Sequence, residues 1–318
     1  MPSTPSFVHP RPIPTGEELE AIYARLMAYP NVIGCFLGRK RTNGADRRAY
    51  SVVVCVTEKV PRAELSPQER LPAWVTWSPN SREVRRCRTD VALVKKSGLH
   101  AGPLAGPGDL VGRPGSSASS FDAGGTVGAV LRHPTLGVTF TTAAHVLRPA
   151  FGTQLTFPPQ AGPRISLRNG PAQSTGAAFE GQLAEIAWTA NSDYALIKPV
   201  GVEARNAFQD SFPLVSTHSP DFFHIGTPLA ALTASGTKAL TYTGAKGVLP
   251  IDQFQYRSVH LAEIGPVLMS GGDSGCVVID RFGRVWGFHL GFVEFNDRLC
   301  SVFRAASQDP GLRSSTLL

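Results

Sequence analysis

Leu268-Met-Ser-Gly-Gly272-Asp-Ser274-Gly-Cys-Val-Val-Ile-Asp280 places a serine inside Gly-Gly-Asp-Ser-Gly, directly before the β-branched run Val277, Val278 and Ile279. Glycines on both sides permit a tight loop, and the run behind it reads as a buried strand. Such a loop can aim backbone N–H groups at one small volume, the requirement for stabilising a developing oxyanion. Ser274 is therefore the candidate nucleophile. The same residues also suit an ordinary turn, so the decision rests on what lies upstream.

Two upstream segments carry complementary chemistry. Phe140-Thr-Thr-Ala-Ala-His145-Val-Leu ends an apolar stretch in a histidine, and Asn191-Ser-Asp193-Tyr-Ala-Leu-Ile197 sets an acid at the entrance to another. A nucleophilic serine needs a base within hydrogen-bond reach, and that base needs an acceptor that fixes its tautomer. His145, Asp193 and Ser274 supply the three types in the order His, Asp, Ser, each at the edge of an expected strand.

Around these segments the chain reads as mainly β. Gly 32 and Pro 26 with 17% charged residues favour many short strands over a helical bundle. Residues 1–14 are polar and broken by proline, and are expected to be flexible. Thr15-Gly-Glu-Glu18 is a capping box opening a helix to about Ala28, with Leu19, Ile22, Tyr23, Leu26 and Met27 on its apolar face. Strands are expected at Val32–Leu37, Ser51–Thr57, Trp74–Trp77 and Val84–Val94, giving a small α+β domain over 15–98 with a regulatory or binding role. Residues 99–123 are rich in Gly, Pro and Ser and read as a strap. From 124 to 306, two successive groups of about six short strands, Pro213–Val215 among them, suggest two barrels, and 307–318 read as a flexible tail.

At 318 residues the chain has ample length for a core. Its beginning shows no apolar secretory segment and no apolar run reaches a membrane span, so a cytoplasmic protein without membrane contact is expected. The cysteines (Cys35, Cys55, Cys87, Cys276 and Cys300) are odd in number and without a C-x-x-C pair, which argues against a disulfide framework or a zinc site. No cofactor or metal is expected. Net charge is +7, with basic clusters at Arg39–Arg41, Arg47–Arg48 and Arg82–Arg88. Only Trp74 and Trp77 stand near them for base stacking, so nucleic acid is a low-ranked partner.

The chain resembles the trypsin-like serine proteases of the chymotrypsin fold. Thr-Ala-Ala-His145 is similar to that family's Thr-Ala-Ala-His, Ser-Asp193-Tyr-Ala-Leu to its Asp-hydrophobic-Ala-Leu, and Gly272-Asp-Ser-Gly275 to its Gly-Asp-Ser-Gly. The likeness covers about Gly124 to Ala306. The segment from Val32 to Lys59 is similar to an extension of intracellular trypsin-like proteins of bacteria and plants. The resemblance implies a double β-barrel of chymotrypsin type, with His145, Asp193 and Ser274 catalytic and the N–H groups of Gly272 and Ser274 as oxyanion hole. It also implies that Asp273 pairs with an amine freed by clipping or with an internal cation.

Specificity follows from the same comparison. Trypsin's pocket aspartate lies six positions before the nucleophile, where this chain has Leu268, so cleavage after Lys or Arg is not expected. Val285-Trp-Gly-Phe-His289-Leu-Gly291 resembles the Ile-Gly-Ile-His-Trp-Gly-Gly strand of glutamyl endopeptidases, which implies that His289 receives an acidic residue. Met269 stands where that group usually has Thr, with Ser270 beside it as a hydroxyl source; Leu268, Met269, Ser270 and His289 are the expected pocket. A buried core histidine is the competing reading of His289. The expected function is a serine endopeptidase acting on protein or peptide substrates, with a restricted range or an activating protein partner, as in signalling or defence. The alternative is a catalytically silent binding module on the same fold.

Overall fold

Glu18 reaches back to the Thr15 N–H at 2.8 Å, so the capping box read from the sequence starts helix α1 (Gly16–Met27). The structure is a computed structural model that describes residues 13–42, 45–80, 83–99, 110–114, 121–147, 149–158, 161–168, 178–201, 216–233, 236–269, 271–308 and 316–317. Residues 1–12, the expected strand Pro213–Val215 and most of the expected tail lie outside them. Four strands follow the helix: β1 (Val32–Thr42), β2 (Ala45–Val56), β3 (Trp74–Asn80) and β4 (Glu83–Leu99). Next come β5 (Leu110–Pro114), β6 (Phe121–Thr126), β7 (Val130–His133), β8 (Gly137–Thr142), β9 (Thr153–Thr156), β10 (Arg164–Arg168), β11 (Ala178–Thr189) and β12 (Ser192–Pro199). The last group is β13 (Ser216–Thr217), β14 (Pro228–Thr233), β15 (Gly236–Ile251), β16 (Phe254–Ile264), β17 (Val277–Asp280), β18 (Arg284–Phe295), β19 (Arg298–Ala305) and β20 (Thr316–Leu317). The chain is mainly β with a small helix-and-strand portion in front.

The strands form two sheets. The first runs β20-β7-β8-β12-β11-β10-β5-β6, with β9 beside β11. It takes in β5 and β6, both within or overlapping the stretch whose Gly and Pro content reads as a strap. Composition there conceals pairing: Leu110 to Gly112 lie opposite Thr126 to Gly124, and glycine is tolerated where another backbone lies close.

In the second sheet β14, β17, β18, β19, β16 and β15 follow one another, and a further β14–β15 ladder closes them into a six-stranded antiparallel barrel. The N-terminal strands are joined to the same sheet. β1 pairs with β15, β2 with β1, β4 with β2 in parallel, and β4 again with β18. These pairings close a second ring, β15-β1-β2-β4-β18-β19-β16, that shares four strands with the barrel. The long strands make this geometry work: residues 236–241 of β15 face β14 while 244–248 face β1, and residues 285–288 of β18 face β17 while 291–295 face β4. Gly291 stands at this handover on β18, where a Cβ would run into the Gly98 carbonyl.

Alternation explains the unbroken apolar run Val52-Val-Val-Cys-Val56. Val52, Val54 and Val56 pack with Leu19, Ile22, Tyr23 and Leu26 of the helix, while Val53 and Cys55 belong to a second cluster with Leu261, Phe295 and Cys300. A strand covered on both faces has no polar face to show.

His260, on β16, lies in the barrel interior against Phe303 and meets the Tyr242 hydroxyl through Nδ1 at 2.7 Å. Burial, helped by Lys246 and Arg304, pushes its pKa down to about 3. In the unfolded chain it titrates near about 6.5, so between those values the unfolded state binds the extra proton. Stability is then fully present above pH 6.5 and falls toward pH 3 by up to about 1.4 kcal/mol per pH unit. Urea titrations of the wild type and His260→Gln at pH 7, 5 and 4 should show a shallower pH slope in the variant; equal slopes would contradict this.

Candidate active site

β8 and β12 are neighbours in the first sheet, with Thr142 opposite Ala195. β8 therefore delivers the 3₁₀ turn Ala144–Leu147, which carries His145, beside the start of β12, which carries Asp193. Ser274 comes from the second sheet, in the loop leading into β17. The three side chains meet in line. His145 Nδ1 lies 2.8 Å from Asp193 Oδ2, and His145 Nε2 lies 2.8 Å from Ser274 Oγ. Asp193 Oδ1 also accepts the His145 backbone N–H at 3.1 Å. Because a carboxylate accepts, the Nδ1 proton belongs to that bond and Nε2 faces the serine as an acceptor. Asp193, His145 and Ser274 are 1%, 2% and 0% exposed, so the line is shielded from water.

One threonine fixes the seam between the sheets. Thr126, the last residue of β6, donates its hydroxyl to the Gly272 carbonyl at 2.8 Å and its backbone N–H to the Ser274 carbonyl at 2.8 Å. Its own carbonyl accepts from Thr142 Oγ1 at 3.0 Å. Gly272 takes φ +95° and Gly275 φ +89°; a Cβ at Gly275 would sit 2.6 Å from the Thr126 carbonyl. Gly275 is thus what lets the loop approach the opposite sheet, while Gly272 has open space around it and answers to its positive φ alone.

The serine hydroxyl has a second acceptor. Ser274 Oγ donates to the Leu290 carbonyl at 2.7 Å. Leu290 follows His289 on β18, and His289 is bound to the serine loop through its backbone, with Gly275 N–H donating to the His289 carbonyl and His289 N–H to the Cys276 carbonyl. The single hydroxyl proton is therefore shared between an imidazole nitrogen and a carbonyl.

Three residues that sequence reading missed complete the site. The Tyr256 hydroxyl donates to Asp193 Oδ2 at 2.9 Å and accepts from Trp188 Nε1 at 2.8 Å. Burial, then the Asp193 charge, raises the Tyr256 pKa, so the phenol keeps its proton and remains a donor. Arg304, 1% exposed, donates to the carbonyls of Ala190, Asn191 and Arg257 and so clamps the turn that presents Asp193. No local motif marks these side chains. Only the apolar setting of a Tyr, Trp or Arg inside a strand pattern hints at a polar partner.

The expected pocket residues are dispersed. Leu268 is 61% exposed, Met269 is buried in the core with Trp286 and Phe303, and Ser270 lies outside the described residues. His289 is fully buried, and its Nδ1 lies 2.8 Å from Ser301 Oγ. Asp273 is buried in the turn, its carbonyl accepting from the Cys276 N–H. Of the aromatics near the basic clusters, Trp77 is buried, and the guanidinium groups of Arg86 and Arg88 stand over the Trp74 ring at 4.7 and 4.8 Å. No helix of the described residues is long and apolar enough to cross a membrane.

The sequence matches no family model and no curated protein. Among solved structures the fold is similar to a Nocardiopsis protease, at 14% identity and a TM-score of 0.44, over 68% of this chain and 99% of that one. It is similar to a glutamic-acid-specific serine protease described as using a histidine triad in substrate binding, at 14% identity and a TM-score of 0.43, over 68% of this chain and 100% of that one. The active form of the Rv3671c protease of M. tuberculosis aligns over 64% of this chain and 77% of that one, with 16% identity and a TM-score of 0.39.

Removing the Tyr256 hydroxyl leaves the buried Trp188 N–H without its acceptor and Asp193 with one donor fewer. Tyr256→Phe should therefore lower the unfolding free energy by about 1–3 kcal/mol, read from the urea midpoint. An unchanged midpoint would remove Tyr256 from this network.

Proposed function

We propose that the chain is a serine endopeptidase that cuts peptide bonds through an acyl-enzyme at Ser274. The observation carrying this reading is the unbroken line from Asp193 to His145 to Ser274 at 2.8 Å per step, assembled from two sheets. In it His145 takes the hydroxyl proton as Ser274 attacks the carbonyl and returns it to the leaving amine. Asp193, held by Tyr256, keeps the imidazole in the required tautomer and stabilises its charged form. The N–H groups of Gly272 and Ser274 serve as the oxyanion hole, worth on the order of 100- to 1000-fold in turnover per donor.

A restricted substrate range fits the strand pairing. Extended peptides commonly bind by adding to a strand edge. On β18 the edge from Gly291 to Phe295 is already taken by β4, with Gly98 opposite Phe292 and Leu99 opposite Gly291. Substrate then pairs with β18 only near Leu290, and residues far before the cut add little. For the residue at the cut we favour an acid, received by His289, whose ring Ser301 orients and whose backbone bonds hold it against the serine loop. An imidazolium donates more strongly to a carboxylate than to a neutral side chain.

Wild type and Ser274→Ala, incubated with a peptide library and a cell lysate, test this by the new peptide termini released. The expected result is cleavage after Glu by the wild type, no gain from lengthening the peptide beyond the residues next to the cut, and no new termini with the variant. Cleavage after basic or aromatic residues would overturn the acidic pocket, and termini in neither sample would identify a silent binding module.

A further inference from the structure

β4 changes partners along its length. Its residues 88–93 lie beside β2 in parallel, from Ser51 opposite Arg88 to Val56 opposite Leu93. Beyond Leu93 that partner ends, and among the described residues Val94 to Leu99 pair with β18 alone. Val94 lies opposite Phe295 but Lys96 opposite Glu294, so Lys95 is bulged out and Lys96 to Leu99 form a short ladder of their own. A strand end held along one edge and set off by a bulge is the part that opens at least cost.

The direction of that ladder decides what it does. Ser97 lies opposite Val293, Gly98 opposite Phe292 and Leu99 opposite Gly291, so β4 runs along β18 toward Leu290, whose carbonyl accepts from the Ser274 hydroxyl. The residues of a substrate that precede the cut must end at Ser274. Where they pair with this edge of β18, they run the same way. Lys96 to Leu99 therefore have the place and the polarity of the acyl side of a peptide. Their fastening is slight. The Leu99 N–H donates to Asp252 Oδ2 at 3.1 Å, from the turn between β15 and β16. Lys95 pairs with Asp297 where both are exposed, and Lys96 stands over the Phe292 ring at 5.7 Å. Exposed ion pairs contribute little, which leaves Asp252 as the principal polar anchor of the last residue.

We propose that Lys96 to Leu99 are an internal occupant of the substrate strand, competing with extended peptides for β18 under the hold of Asp252. The inference rests on the peptidase reading and adds to it what sets the length of peptide that is read. With β4 docked, only residues next to the cut are recognised. With its end lifted, the edge from Gly291 to Val293 becomes available, and a long peptide makes backbone hydrogen bonds there that a short one cannot. Asp252 and Gly98 are then specificity-determining residues that act through β4. Gly98 allows the close approach, since a Cβ at that position would lie 2.9 Å from the Phe292 ring.

Turnover of two peptide anilides with the same residue at the cut, one carrying that residue alone and one extended far enough to reach Val293, tests this in the full chain. Asp252→Gly removes the acceptor and tolerates the turn's φ of +52°, while Gly98→Val sets a side chain against the Phe292 ring. The wild type should show nearly equal kcat/KM on the two peptides. Each variant should raise kcat/KM on the long peptide about tenfold, the worth of one or two backbone hydrogen bonds, and leave the short one unchanged. Amide hydrogen exchange over Gly291 to Val293 should quicken in both variants. Turnover with the same long-to-short ratio in all three forms, or exchange unaltered in both variants, would overturn the proposal and leave the peptidase reading standing. Turnover of neither peptide by any form would overturn both.

Discussion

Two hydrogen bonds from Thr126, to the carbonyls of Gly272 and Ser274, hold the Ser274 loop of one sheet against His145 and Asp193 of the other. His145 and Asp193 need little help to find each other, since the turn after β8 and the start of the neighbouring β12 carry them. Ser274 arrives from 81 residues beyond Asp193 and must dock within a fraction of an ångström. A buried hydrogen bond is directional and costly to leave unmade, so two of them from one residue define position better than apolar packing alone. The glycine at 275 follows from this demand.

The second constraint is economy of strands. β15, β16, β18 and β19 each serve the barrel along part of their length and the N-terminal ring along the rest. The N-terminal strands therefore form no separate sheet. They lengthen the barrel's own strands and bring β4 to the edge that leads toward Leu290. The ring and the surroundings of Ser274 thus share β18, whose residues 291–295 pair with β4 while Leu290 accepts from the serine hydroxyl.

Much of this was readable from residues in sequence. The capping box at Thr15 and Glu18, the β-branched run behind Ser274 and the strand-end positions of His145 and Asp193 are local signals, and local physics decides them. The strands hidden at 110–114 and 121–126 were obscured because Gly and Pro lower apparent strand propensity while still fitting a paired edge. Closure of the ring was out of reach, since the parallel β2–β4 pairing and the β4–β18 ladder join residues far apart in the chain. Tyr256 and Arg304 were missed for the same reason: each acts on a turn or carboxylate far away in sequence. The division of β2 between two clusters could not be inferred, because Val53 and Cys55 read as one core run with Val52, Val54 and Val56 until each face of the strand is seen to be covered by different elements.

The claim on which the rest turns is that His145 activates Ser274 in this folded arrangement. Intact-protein mass spectrometry after exposure to a fluorophosphonate reports it directly. One adduct per chain is expected, mapped to the peptide containing Ser274, with strongly slowed labelling in His145→Ala. A folded wild-type protein that takes up no label, or labels at the same rate without His145, would contradict it.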